Sequence, residues 1–139
     1  MTQPYDVEFS SEQYQKWLVA LKDEATLATL NQAQAMMRAV MAALRDSVPD
    51  EDALAIANAL PALARGIMLE GWRLRGPKNE IASPQDFHRR LCGNLKEHHA
   101  PPDDLAAAVF AVWRKELAPE KAKAVFEKLP AALRPLWPA

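Results

Sequence analysis

Hydrophobic positions along the chain recur with helical spacing. Tyr14, Trp17, Leu18 and Leu21 fall at i, i+3, i+4 and i+7, so one helix face collects them. Ser10 with Gln13 reads as a capping box for that helix. Met37, Val40, Met41, Leu44 and Val48 repeat the spacing in a second helix. Pro49 and Asp50 end it and start a third, with Ala53, Ile56, Ala57 and Leu60 inward. Pro61 has no backbone N–H to donate, so the helix breaks there. A fourth, short helix runs to about Leu69 and ends at Gly71. The plan then starts again. Ser83 is an N-cap with Pro84 at the first helical position, and Phe87, Leu91 and Leu95 form an apolar row. Pro101-Pro102-Asp103 caps a helix carrying Val109, Phe110, Trp113 and Leu117. Pro119-Glu120 opens another, with Ala122, Val125, Phe126 and Leu129 inward, and Pro135 and Pro138 truncate the last short one. No stretch alternates with period two, so no strand is expected.

The restart is written in the residues. Leu60-Pro61-Ala62 recurs as Leu129-Pro130-Ala131, 69 positions later. At that offset Val40 meets Val109, Arg45 meets Arg114, Glu51 meets Glu120 and Arg65 meets Arg134. Apolar character matches as well, Leu44 with Trp113 and Ile56 with Val125. Ser10 and Tyr14 answer to Ser83 and Phe87 at an offset of 73, which predicts a loop four residues longer between the first two helices. The expected architecture is therefore all-α. One helical-bundle domain over 1–139 is built from two similar four-helix halves, 10–70 and 83–137, with an internal pseudo-two-fold repeat. Residues 71–82 connect the halves. They are too apolar at Trp72, Leu74 and Ile81 for a free linker, and Trp72 is expected to be buried and to pin them, with Arg65 and Glu70 beside it as a polar lock.

The run Leu60-Pro61-Ala62-Leu63-Ala64-Arg65-Gly66-Ile67-Met68-Leu69-Glu70-Gly71-Trp72-Arg73 resembles the hallmark segment of a bacterial family known as domain of unknown function 2267. Phe87 with Leu91, and Leu129-Pro130-Ala131-Ala132-Leu133-Arg134, carry the same resemblance, which extends from about Tyr14 to Trp137. Where the family tends to have aromatic residues, this chain has Met68 and Leu69. The resemblance implies an all-helical bacterial cytoplasmic protein and implies no activity.

Composition narrows the picture. At 139 residues and 15.5 kDa, 50% hydrophobic and 25% charged, the chain can fill a core without staples. No stretch approaches the roughly 20 apolar residues that span a bilayer, and the first residues lack the basic and apolar regions of a signal peptide. The single Cys92 excludes an internal disulfide framework and fits a reducing cytoplasm. A net charge of −1 argues against nucleic acid as the partner. The charge is uneven, however. Residues 1–70 carry five Lys or Arg against ten acids, and 71–139 carry twelve against eight. Such asymmetry suits an anion-binding half, or surfaces of complementary charge that face each other or a second copy.

Candidate chemistry is sparse. His88 and Cys92 share a helix face, with His98 and His99 one or two turns later, yet no paired zinc-ligand spacing occurs and no metal or cofactor is expected. Cys92 reads as a small buried hydrophobe and the two later histidines as partners of a helix C-terminus. Ser10 and Ser83 serve as caps, no Gly-x-Ser-x-Gly elbow or Gly-rich phosphate loop is present, and no catalytic residue is assigned. Arg73, Arg75, Lys78, Arg89 and Arg90 form the one basic cluster, beside Trp72. Of the adjacent Met36 and Met37, one is expected to be exposed. Arg65, Glu70, Trp72, Arg73 and Arg75 are the candidate binding residues. The leading function is a non-catalytic interaction module with an unidentified protein partner or a second copy. A small-ligand or anion-binding regulator using the repeat junction is the alternative, and a metal-dependent enzyme comes third.

Overall fold

The computed structural model describes residues 4–95 and 100–139, and within them every regular element is a helix. The order is α1 (Tyr5–Glu24), α2 (Leu30–Arg45), α3 (Asp50–Ala59), α4 (Ala62–Leu69), α5 (Pro84–Asn94), α6 (Leu105–Glu116) and α7 (Pro119–Lys128), then a 3₁₀ helix, Ala131–Leu136. His98 and His99 lie outside the described residues.

Helix α2 is the hub. It touches α1, α3, α4, α5 and α6, so it has core on more than one side. That explains why Met36 and Met37 are both buried, against the expectation that one faces water. Adjacent residues on a helix point about 100° apart, and a helix walled in on several sides can bury both. Outside this hub α3 lies along α7, and α1 lies along α2 and α6. The buried side chains of all eight helices form one cluster, with Trp17, Phe87, Phe110 and Trp113 as its largest members. No charged or polar side chain is buried among the described residues.

Local chemistry sets the helix ends. The capping box is at Thr29, whose hydroxyl accepts from the Gln32 amide while the Gln32 side chain accepts from the Thr29 amide. Ser10 is inside α1, which begins at Tyr5 behind Pro4, so it caps nothing. Ser83 caps α5 as expected, accepting from the Asp86 amide. Asp104, not the preceding Asp103, is the N-cap of α6. Pro135 sits inside the last 3₁₀ helix instead of ending it. The longer loop expected between the first two helices is not there: α1 ends at Glu24, α2 begins at Leu30, and the connection spans only 25–29. Tyr14 donates to Gln34 across α1 and α2, and burial pushes its hydroxyl up to about 12, against the pull of Arg38 and of that bond.

Candidate functional site

Four of the five candidate binding residues, Glu70, Trp72, Arg73 and Arg75, follow α4, and Arg65 lies within it. Gly71 adopts φ +75°, which only glycine takes without strain, and this turns the chain out of α4. Trp72 follows, its amide donating to the Leu69 carbonyl at 3.0 Å. Its ring is partly buried, packed on the edge of the core, and its indole N–H has no hydrogen-bond partner. Lys78 lies over the ring, 5.5 Å from its centroid. Trp72 thus anchors the connection as expected, but as a half-sunken lid on the core margin. Trp72→Ala should cost about 1–2 kcal/mol, below the 3–5 kcal/mol of a fully packed aromatic. Equilibrium urea melts measure this; a loss above 3 kcal/mol would place the ring in the core proper.

The polar lock is built from residues other than the expected pair. Arg65 and Glu70 do not bond each other. Arg65 turns back to the end of α3, its Nε donating to the Ala57 carbonyl and its Nη2 to those of Asn58 and Leu60. A guanidinium there satisfies carbonyls that the helix leaves open and complements its negative end. Glu70 pairs with Arg38 of α2 in an exposed contact worth little. The residue that grips the end of α4 is Arg45, which donates to the Met68 and Glu70 carbonyls.

The connection itself is held by Asp50, the first residue of α3. Its Oδ2 accepts from the Arg75 amide at 2.7 Å, and its Oδ1 lies 2.6 Å from Lys78 Nζ. Those two bonds hold its carboxyl below the usual carboxylate range. They also hold Arg75 at φ 62°, an uncommon conformation for a residue with a side chain. The Asn79 amide donates to the Asp46 carbonyl at 2.7 Å, and the Ala82 amide to Asp86 at 3.1 Å. Sequence reasoning missed Arg45 and Asp50. The match of Arg45 with Arg114 was the available signal for the first; the second hides in an acidic triplet that any helix N-terminus favours.

Around these residues is a cleft of about 300 Å3 in which Trp72, Arg73 and Lys78 face Arg45 and Asp46. Arg65, Glu70 and Arg75 do not line it. Neither do Arg89 and Arg90: Arg89 pairs with Asp86 and borders a different cleft with His88 and Asp103. His88 Nε2 is 3.8 Å from Asp103, and Cys92 is exposed, not buried, since it flanks the Phe87–Leu91–Leu95 row on the solvent side of α5. No group of three or more His, Cys, Asp or Glu able to hold a metal occurs among the described residues. A larger cleft, about 620 Å3, lies at the other end of the chain, where Arg114, Lys123 and Arg134 surround Phe126 and Trp137. Arg134 repeats the manner of Arg65: it donates to the Glu127 carbonyl seven residues back, as Arg65 does to that of Asn58.

The structure is therefore that of an all-helical protein whose conspicuous polar side chains mostly tie helix ends and a connection in place. No described helix is long and apolar enough to cross a membrane. The chain belongs to the family of uncharacterized conserved proteins designated DUF2267, whose model matches residues 14–136. No curated protein matches the sequence.

Proposed function

We propose that this protein is a non-catalytic interaction module of a bacterial cytoplasm, and that its contact surface is the projecting end of α1. The observation that carries this is exposure. Every residue from Tyr5 to Phe9 is open to solvent, although Tyr5, Val7 and Phe9 are apolar, at 75%, 52% and 49% exposure. Helical turns without tertiary support are marginal in water, and clustered exposed apolar side chains mark contact sites more often than scattered ones. A photo-crosslinking residue at position 9 should give a protein adduct, and one at the isolated exposed Leu54 should not. No adduct at position 9, or equal adducts at both, would end this reading.

The architecture behind the module is two four-helix halves related by a pseudo-two-fold axis within one domain, α1–α4 answering to α5–α7 and the final 3₁₀ helix. The contacts support it: α1 with α6 is answered by α5 with α2, α1 with α4 by α5 with the 3₁₀ helix, and α2 with α4 by α6 with the 3₁₀ helix. Helix α3 meets its own counterpart, α7. The matched bonds of Arg65 and Arg134 add to this.

A second reading, an anion-binding regulator at the junction of the halves, is favoured by one feature. The Trp72 indole N–H is buried without a partner beside Lys78 and Arg73, and a buried donor left unpaired costs about 1–3 kcal/mol that an oxyanion would recover. Titration with inorganic phosphate should then shift the Trp72 indole resonance in the amide–proton NMR spectrum; an unmoved resonance at millimolar phosphate removes this reading.

A further inference from the structure

We infer that the projecting end of α1 docks into the basic, aromatic-lined cleft of a second copy of this chain. The inference rests on the reading of the α1 end as a contact surface and names its partner.

The two surfaces are complementary in chemistry. Tyr5 and Phe9 stack on each other one turn apart, their ring centroids 5.8 Å apart, and present a double aromatic knob. Asp6, Glu8 and Glu12 surround it, and no Lys or Arg occurs in α1 before Lys16. The cleft offers the converse. Phe126 and Trp137 meet at 6.1 Å between centroids, tilted by 59°; Arg134 lies over the Phe126 ring at 5.7 Å, and Trp137 also packs on Phe110 at 5.7 Å, so both rings are held in place as the floor of the cleft. Arg114, Lys123 and Arg134 rim it. Glu127 offsets part of that charge, 3.9 Å from Lys123. Arg114 is exposed and has no hydrogen-bond or ion-pair partner among the described residues, whereas Arg45, 69 positions earlier, donates to two carbonyls through Nη1. A cleft of about 620 Å3 is within the roughly 300–1,000 Å3 of sites that enclose compact groups.

Charge direction selects the second copy as occupant. The acidic excess of residues 1–70 and the basic excess of 71–139 meet when the α1 end of one molecule enters the cleft of another. None of the residues lining the cleft belongs to α1, so the chain does not fill the site with its own helix end. Reciprocal entry about a two-fold axis closes the pair as a dimer and satisfies both clefts at once.

The test is sedimentation velocity on the full chain from micromolar to several hundred micromolar, at low and high salt. Mass should rise from 15.5 kDa toward twice that value with concentration, and the association should weaken at least tenfold at high salt. Tyr5→Ser with Phe9→Ser should abolish it, and Arg114→Glu should weaken it by a similar factor. Glu8→Arg combined with Arg114→Glu should restore it. Tyr5, Glu8, Phe9 and Arg114 are all exposed, so these variants should keep the wild-type melting curve, which circular dichroism checks. A protein that stays monomeric throughout, or a dimer indifferent to both sets of variants, overturns the inference. A monomer that still crosslinks another protein through position 9 overturns it too, while leaving the contact-surface reading standing. Saturable binding of indole-3-acetate in the cleft of a monomeric wild type would assign the cleft to a small carboxylate instead.

Discussion

Trp113→Ala should destabilise this protein more than any other single truncation considered, by about 3–5 kcal/mol. The ring is wholly buried in the last turn of α6, and it meets Phe110 at 5.8 Å between centroids and a tilt of 56°. Its Nε1–H donates to the sulfur of Met37 in α2, 3.4 Å away, so the indole joins α6 to α2 by packing and by its one polar atom. Sulfur is a weak acceptor, and most of the loss should come from the cavity. Trp113→Phe, which keeps a ring and discards the N–H, should therefore cost less than half as much. The melting temperature of the alanine variant should fall by roughly 10–20 °C, given that stability of about 5–15 kcal/mol is typical and each kcal/mol moves a domain of this size by a few degrees. A loss under about 1 kcal/mol in chemical denaturation would mean that α6 is not part of the common core.

Leu60→Ala and Leu129→Ala form the second large prediction. Both leucines end a helix in extended conformation just before a proline, and both are buried, at 1% and 3% exposure. Proline fixes the preceding residue outside the helical region, and that geometry carries each side chain inward. Each truncation should cost about 2–5 kcal/mol. Because α3 and α7 pack on each other, each variant should still unfold in one transition seen alike by fluorescence and circular dichroism. Two separate transitions, one insensitive to the substitution, would mean that α3 and α7 do not belong to one cooperative unit. Losses below about 1 kcal/mol at both positions would reduce the Leu-Pro pair to surface punctuation.

The sequence by itself determined that the protein is helical, where most helices break, and most of the residues that fill the core. Those properties come from spacing and from the backbone chemistry of proline and glycine, which act within a few residues. Leu60, Phe87, Val109 and Leu129 were legible for that reason, as was the Ser83 cap. Tertiary structure decided what depends on neighbours distant in the chain. Met36 and Met37 are both buried because five helices surround α2, a fact no local pattern contains. Cys92 is exposed because the packed face of α5 stops at Leu91 and Leu95. The pairing of Arg65 with α3 carbonyls, of Arg45 with those ending α4, and of Asp50 with Arg75 and Lys78 replaced the expected pair of Arg65 with Glu70. Long charged side chains reach any partner within several ångströms, and only the fold says which carbonyls and carboxylates lie in that radius.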